Sequence, residues 1–270
     1  MSSTLCVIRT QRPAAGPRTV SHSDWAVGAS AHSHTASHTA GQIASHAAGQ
    51  IAEIINAAER FIADAGIEAL TIRELSIATG FPAASIRQLC GSRAALIGAT
   101  WLRAYRRFLS LLTSLVEETD GSANEKAFAA AEASVLYRRQ YPRSAALLEA
   151  VQRDDLSRRP QPTDVARQLR EVDDQFVDIM RRLSLLVWDR DDTDSIAVMS
   201  ACVIDLPKRI LGRHECHGSY FVREYVREAV RGVLDCGPPT DARQRADAPA
   251  LMLSRRQRME GLIHHSEKVG

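Results

Sequence analysis

Long hydrophobic runs, aromatic residues and closely spaced cysteines are all scarce in this sequence of 270 residues. No stretch approaches the roughly 18 consecutive apolar residues that a membrane helix needs. The apolar run at residues 5–8 is too short for the core of a signal peptide. The five cysteines are odd in number and widely spaced, which does not indicate a disulfide framework. We therefore expect a cytoplasmic protein with free thiols and no membrane partner.

The charge balance excludes two further classes of protein. Lys and Arg number 34 and Asp and Glu number 32, which leaves a formal charge of +2. A uniformly basic nucleic-acid coat and a strongly acidic disordered chain both need a large excess of one sign. Apolar residues make up 45% of the chain, as in ordinary globular proteins. Any nucleic-acid site must therefore be a local patch.

The sequence motifs of common enzymes are also missing. We find no Gly-rich phosphate loop, no Gly-x-Ser-x-Gly elbow and no His-Glu-x-x-His pair. Three clusters contain metal-ligand residue types: His32 with His34 and His38, the acidic stretch 189–194, and the stretch 214–217. The three histidines could chelate a metal ion if the segment folded around it, but a solvated low-complexity tail is the preferred interpretation. The acidic stretch lacks the Gly and Glu of a calcium loop and is better interpreted as a polar turn before a helix. The stretch 214–217 has no paired set of ligands spaced for a structural zinc site. We predict no catalytic residue, no cofactor and no metal.

The chain divides into four parts by composition. Residues 1–48 are rich in Ser, Ala, Thr, Gly and His and lack a sustained apolar period, which predicts a flexible arm. Residues 49–97 and 98–236 both carry helical periodicity. Residues 237–270 contain many Arg and few large apolar residues, which predicts a largely disordered basic tail with one short helix near 250–263.

The part from 49 to 97 is predicted to hold three short helices and the start of a fourth. An apolar stripe from Ile51 to Ala65 marks the first helix. Thr71, with Glu three residues later, matches a capping box and starts the second helix, which stops at Gly80. Pro82 begins the third, and Ser92 caps a longer fourth helix. Further helices are predicted over 122–140, 143–156, 163–188, 192–212 and 218–235, so the fold class is all-α.

Two short helices joined at a glycine form a helix-turn-helix, in which the second helix enters the major groove of DNA. Arg can pair with guanine and Gln with adenine, while Ser and Ala fit closely against backbone or a thymine methyl. A helix N-terminus and nearby Arg side chains can bind phosphate. On this basis the candidate DNA-binding residues are Thr71, Arg73, Ala83, Ala84, Ser85, Arg87, Gln88 and Arg93.

The stretch 54–101 resembles the DNA-binding domain of the TetR family of bacterial transcriptional regulators. The matching features include Ala57-Ala58 and Phe61, the turn at Gly66, Thr71-Ile72-Arg73-Glu74-Leu75, Ala78-Thr79-Gly80 and Gly91-Ser92-Arg93-Ala94-Ala95-Leu96. The resemblance covers about a fifth of the chain and implies an N-terminal three-helix DNA-binding domain followed by a helical ligand-binding and dimerisation domain.

The family resemblance also implies properties that these motifs do not show by themselves. Members are mostly homodimeric repressors, released from palindromic operator DNA by a small-molecule effector. The last two long helices usually form the dimer interface, and the predicted helices 192–212 and 218–235 would take these positions. Spacing on the second of them suggests an interface of Val222, Val226, Ala229 and Val233. The large apolar residues that could line a ligand pocket are Trp101, Phe108, Tyr137, Phe176, Met180 and Met199.

The third helix departs from the family pattern. Aromatic residues are usual where Arg87, Leu89 and Cys90 stand, and a basic or polar residue is common at Ala83. The base preference therefore cannot be transferred from the family. The alternative function is a helical interaction protein whose degenerate helix-turn-helix no longer binds DNA. If DNA is bound, the arm with Arg9, Arg12 and Arg18, or the Arg-rich tail, is expected to add phosphate contacts.

Overall fold

A computed structural model describes residues 31–213, 220–240 and 257–261, and most of these residues are helical. The chain divides into two compact units at Ala47, and the described part of the first unit, residues 31–46, is helical. The architecture below belongs to the second unit. No β-strand occurs among the described residues, as the all-α prediction requires.

The helices follow one another with short connections. They are α1 (Ala31–Ala65), α2 (Ile72–Thr79), α3 (Ala83–Cys90), α4 (Arg93–Glu118), α5 (Ala123–Gln140), α6 (Pro142–Ala150), α7 (Arg153–Ser157), α8 (Thr163–Trp188), α9 (Thr193–Ser200), α10 (Leu206–Arg213) and α11 (Tyr220–Cys236). A short 3₁₀ turn, Ile67–Ala69, lies between α1 and α2. Residues 257–261 form one further helical turn, inside the range predicted for a short helix in the tail.

Helix α1 begins far earlier than the apolar stripe predicts. The stripe starts at residue 51, whereas the helix starts at Ala31, within the segment predicted to be a flexible arm. Alanine recurs through this segment, and it has the highest helix propensity while contributing little apolar surface. Apolar periodicity therefore does not predict this part of the helix. The first 30 residues of the predicted arm lie outside the described residues.

The central helices pack around α4 and α5. Helix α4 lies against α5, α6 and α8, and α5 also contacts α11. The buried apolar side chains form one continuous core from Ile54 in α1 to Leu234 in α11. Helices α1 to α3 therefore share a core with the C-terminal helices through α4, which runs between the two groups.

The predicted helix over 192–212 is interrupted. A π-helical segment, Ala201–Asp205, separates α9 from α10, and the N–H of Leu206 donates to the carbonyl of Ala201 five residues earlier. Pro207 follows directly and has no N–H to donate, so the regular hydrogen-bond ladder cannot continue through it. The predicted helix over 143–156 is likewise divided into α6 and α7, because Val151 is extended and Gln152 caps a new helix.

Candidate nucleic-acid interface and cavity

The start of α2 is fixed by Thr71. Its hydroxyl oxygen accepts a hydrogen bond from the backbone N–H of Glu74 at 3.1 Å, as the capping-box pattern predicts. The hydroxyl also donates to the carboxylate of Glu74, and this hydrogen bond lowers the pKa of that carboxyl group. Thr71 and Arg73 are both exposed on the outside of this first turn, where the predicted phosphate contacts would be made.

The turn between α2 and α3 holds the two helices at a defined angle. Gly80 ends α2 with φ at 74°, a left-handed conformation that glycine adopts without a Cβ clash. One side-chain hydrogen bond spans the turn, from Ser76 Oγ to the carbonyl of Phe81 at 2.7 Å. Within the last turn of α2, Thr79 Oγ1 donates to the carbonyl of Leu75, also at 2.7 Å. Helices α2 and α3 therefore form a helix-turn-helix pair.

Helix α3 presents one face to the core and the opposite face to solvent. Ile86 is fully buried and anchors the helix. Ala84, Arg87 and Gln88 are exposed, and their spacing of three and four residues puts them on one face. The side chains of Arg87 and Gln88 form no hydrogen bond or ion pair with another described residue. Ala83 and Ser85 are half-buried beside this face. Five of the predicted DNA-binding residues are thus gathered on one short helix.

Arg93, at the start of α4, has contacts within its own chain. Its guanidinium donates to the carbonyls of Leu70 at 2.6 Å and Ile67 at 2.5 Å. It also forms an ion pair of 3.2 Å with Glu68. These contacts fasten the 3₁₀ turn before α2 to α4. The predicted DNA contact of Arg93 stays a prediction, and it would require the side chain to give up some of these partners.

A buried carboxylate connects α1, α4 and α6. Glu59 is only 6% exposed and accepts hydrogen bonds from Arg103 in α4 and from the hydroxyl of Ser144 in α6. Arg107 lies 3.5 Å from its second oxygen. Sequence reasoning missed this cluster, because Glu59 stands beside the apolar stripe of α1 without any local pattern that predicts a buried charge. The cluster ties the helix-turn-helix unit to the C-terminal helices.

A cavity of about 350 Å³ lies among the C-terminal helices. Its aromatic wall contains Trp101, whose ring stacks on Tyr105 with centroids 4.6 Å apart, and Phe108, which meets Tyr137 edge-on at 5.5 Å. Phe176 lines it as well. Four of the six predicted pocket residues are therefore brought together here.

The two methionines predicted for the pocket lie elsewhere. Met180 and Met199 are fully buried and do not line this cavity, because their helix faces point into the packed core. The cavity lining instead contains charged residues that sequence reasoning did not identify. Arg153 and Asp173 form an ion pair of 2.7 Å, and Arg138 and Glu149 form one of 3.0 Å. Burial raises the pKa of Asp173, and Arg153 opposes that effect.

The predicted interface on α11 requires a correction. Val222 and Val226 are 3% and 0% exposed within a single chain, so they pack against the core and add nothing to a contact between copies. Ala229 and Val233 are only partly buried. The exposed apolar groups of α11 are two aromatic side chains one turn apart, Phe221 at 66% and Tyr225 at 54%. The spacing shows an apolar stripe, but it does not show which partner the stripe meets.

The acidic turn before α9 acts as a helix cap, as its interpretation as a polar turn predicts. Asp192 accepts hydrogen bonds from the N–H groups of Asp194 and Ser195. Among the described residues no group of His, Cys, Asp and Glu is arranged to hold a metal. The stretch 214–217 lies outside them, as do the side chains of His32, His34 and His38. Within the described ranges, no helix combines the length and apolar character needed to cross a bilayer.

Comparison with known proteins gives matches in structure but not in sequence. No family model matches the sequence, and no curated protein does either. A protein of unknown function from Rhodococcus sp. RHA1 is similar at a TM-score of 0.53 and 20% identity, over 70% of this chain and 96% of that one. A regulatory protein of the TetR family from Rhodococcus RHA1 matches at 0.50 and 18% identity, over 71% and 98%.

A third similar structure is the ketosteroid transcriptional regulator of Mycobacterium tuberculosis. Its TM-score is 0.50 at 14% identity, over 70% of this chain and 95% of the regulator. These matches extend over nearly the full length of the other proteins, so they include the helices after the helix-turn-helix as well as the unit itself. The chain has the all-α fold of the TetR-family transcriptional regulators.

Proposed function

We propose that this protein is a sequence-specific DNA-binding transcriptional regulator that acts as a homodimer and responds to a small-molecule effector. The observation that carries the proposal is the exposed face of α3, where Arg87 and Gln88 stand next to the small side chain of Ala84. The neighbouring Ile86 is fully buried in the core, whereas the two long polar side chains are exposed to solvent. We propose no enzymatic activity.

The residue types on this face suit the edges of base pairs. Arg87 can donate two hydrogen bonds to guanine and Gln88 can pair with the donor and acceptor of adenine. Ala84 lets the helix approach closely. A good pair of this kind discriminates between bases by about 1–3 kcal/mol. Thr71 and Arg73, at the exposed start of α2, are placed to contact phosphate.

A direct test compares DNA binding by the wild type and by Arg87→Ala combined with Gln88→Ala. The promoter region beside the protein's own gene supplies the duplex, and fluorescence anisotropy measures its affinity against a scrambled duplex. We expect the double variant to lose at least tenfold of this preference, which corresponds to about 1.4 kcal/mol. The matched control replaces exposed residues of the same types in α8, Arg170→Ala with Gln175→Ala, and should keep the preference.

The alternative function, a helical interaction protein, predicts the opposite result in this binding assay. A helical interaction protein that retains the fold without binding DNA shows no preference for any duplex, in the wild type or in either variant. The unusual residues at positions 87, 89 and 90 of α3 favour this rival. A preference in the wild type that survives in the double variant would also contradict our assignment, because another surface would then be responsible.

Additional phosphate contacts are expected from outside the helix-turn-helix. Residues 50–97 contain four Arg, at 60, 73, 87 and 93, against five acidic residues, and the guanidinium of Arg93 is already occupied. We propose that Arg9, Arg12 and Arg18 of the N-terminal segment contribute. Each lost phosphate contact lowers the slope of log K against log salt by about 0.9. Replacing the three Arg with Ala should flatten the slope by up to about 2.7, and an unchanged slope would reject their role.

We propose that two copies associate through α11 with its exposed aromatic pair, Phe221 and Tyr225. Aromatic side chains are enriched at protein interfaces, and a two-fold contact uses the same surface on both copies. Tyr225→Asp should shift the protein from dimer to monomer in sedimentation equilibrium. Gln140→Asp, which adds the same charge at an exposed position of α5, should leave it dimeric. A monomeric wild type would contradict the proposal.

The dimer suggests how an effector could control binding. Helix-turn-helix dimers place their recognition helices about 34–36 Å apart, one turn of DNA, and so bind the two halves of a palindrome. An effector that prefers a different spacing shifts the population away from DNA. A coupling of about 1–3 kcal/mol changes affinity 5- to 150-fold. We propose repression relieved in this way, and deletion of the gene should then raise transcription from the bound promoter.

A further inference from the structure

A polar groove of about 690 Å³ lies where α1, α4 and α6 meet. It shares no lining residue with the cavity among the C-terminal helices. Each of the three helices contributes one arginine to its lining, namely Arg60 from α1, Arg107 from α4 and Arg143 from α6. The two acidic residues of the lining, Glu53 and Glu59, both belong to α1. Positive side chains from three helices therefore face one space.

Two of these arginines are available to a ligand from solvent. The side chains of Arg60 and Arg143 are exposed, and neither forms a hydrogen bond or an ion pair with another described residue. Arg143 lies in the first turn of α6, whose N-cap residue, Tyr141, makes no capping hydrogen bond with its side chain. The positive end of this helix adds to the charge of the groove.

The third arginine, Arg107, is held at one end of its guanidinium group. Its Nη1 donates to Ser144 Oγ at 3.1 Å and lies 3.5 Å from Glu59. The guanidinium carbon lies 5.8 Å from the ring centroid of Tyr141. Nη2 and Nε make no hydrogen bond within the described chain, and the side chain is 37% exposed. An anion can therefore bind these two nitrogens while Nη1 keeps its partners.

The carboxylates at the groove do not balance the arginines. Glu59 already serves two guanidinium groups, because Arg103 binds it from α4 beside Arg107. When Arg103 is included, four arginines face Glu53 and Glu59, which leaves an excess of two positive charges. A singly charged ion gains little at an open surface that salt screens. An anion with several charges can contact more than one guanidinium group, and each group can bind two of its oxygens.

We propose that this groove binds a small multivalent oxyanion of the diphosphate type through Arg60, Arg107 and Arg143. The bound anion connects α1, which leads into the helix-turn-helix, with α6 of the C-terminal helices, beside the buried Glu59 that already connects them. A ligand that binds only the folded chain also stabilises it. The proposal goes beyond the proposed function and does not depend on it, because it concerns the groove alone.

The test is isothermal titration calorimetry of the full chain with inorganic pyrophosphate at fixed ionic strength. Arg60→Gln combined with Arg143→Gln removes two of the three contacts and should raise the Kd at least tenfold. The control replaces two exposed arginines of α8 and α10, Arg182→Gln with Arg209→Gln, so both double variants lose the same charge. The control should bind pyrophosphate like the wild type. All four positions are exposed, so circular dichroism should show the same fold in every protein.

Two results of this titration would overturn the proposal. One is a wild type that binds pyrophosphate no better than it binds acetate, a singly charged anion. The other is equal weakening in both double variants, because pyrophosphate would then respond to net charge and not to the groove. No DNA is present in this titration, so its failure would leave DNA binding by α3 untouched.

A second titration, with duplex DNA, distinguishes a small anion from the phosphates of a DNA backbone. The variant with Arg60→Gln and Arg143→Gln should keep the wild-type slope of log K against log salt. A slope lowered by about 0.9 for each lost contact would assign these arginines to DNA and overturn the proposal. A chain that binds pyrophosphate at the groove and binds no DNA would support the proposal and contradict the proposed function.

Discussion

The buried carboxylate of Glu59 offers the sharpest test of how the helix-turn-helix unit is joined to the rest of the protein. Glu59→Gln keeps the shape of the side chain and removes its charge. Two guanidinium groups, Arg103 and Arg107, then lose their counter-ion. The hydroxyl of Ser144 can donate only to the single amide oxygen of the new glutamine. Arg103 is only 17% exposed, so water cannot replace the carboxylate fully.

The size of the effect follows from this burial. Breaking a buried ion pair by removing one partner costs about 3–5 kcal/mol. Because glutamine retains one acceptor, we expect the lower end, about 3 kcal/mol of the free energy of unfolding. For a domain of this size that is a fall in Tm of about 6–12 °C. Urea and thermal unfolding followed by circular dichroism measure both quantities.

The control is Glu53→Gln on the same helix, where the side chain is exposed. Exposed substitutions of this kind usually change stability by no more than about 0.5 kcal/mol. If Glu59→Gln unfolds within that margin of the wild type, the carboxylate does not hold α1, α4 and α6 together, and the coupling between the two groups of helices must be explained by apolar packing alone.

Two further predictions concern packing and thiol chemistry. Gly98→Ala should destabilise the protein by about 1–3 kcal/mol, because the new Cβ would lie 2.8 Å from Val165 Cγ1 and 2.6 Å from Gln161 Oε1. Gly232→Ala meets nothing within 4 Å and should be neutral or stabilising in the same urea titration. Equal effects of the two substitutions would show that Gly98 is not tightly packed against Val165. Burial raises the pKa of Cys202 to about 12, while Cys236 is exposed. Iodoacetamide at pH 8 followed by peptide mass spectrometry should therefore label Cys236 and leave Cys202 unmodified until the protein unfolds, and early labelling of Cys202 would contradict its burial.

Local signals predicted the helix-turn-helix closely. Thr71 and Ser92 cap α2 and α4, and Gly80 ends α2, as their residue types require. These features depend on hydrogen bonds between residues three to five positions apart, which a sequence displays directly. Features set by weak or non-local causes were missed. The alanine-rich start of α1 has helix propensity without an apolar stripe. The division of 192–212 is different, because its cause, the missing N–H of Pro207, is local and was overlooked.

The candidate sites were predicted less completely, for the same physical reason. The exposed face of α3 follows from helix periodicity around one buried residue, Ile86. The cavity depends on contacts between helices distant in the chain, so aromatic residues were found but the ion pairs at Arg153 and Arg138 were not. Met259, which is buried and lines the cavity, lies in a segment whose composition is typical of a disordered tail. On α11, periodicity identified Val222 and Val226 as apolar but could not distinguish a core from an interface.

The central claim is that α3 binds the edges of base pairs, and selection from a random pool of duplex DNA tests it most directly. We predict that the wild type enriches one two-fold symmetric sequence with half-site centres about 10 base pairs apart. The combined Arg87→Ala and Gln88→Ala variant should enrich none. No enrichment by the wild type, or the same enriched sequence from both proteins, would contradict the account.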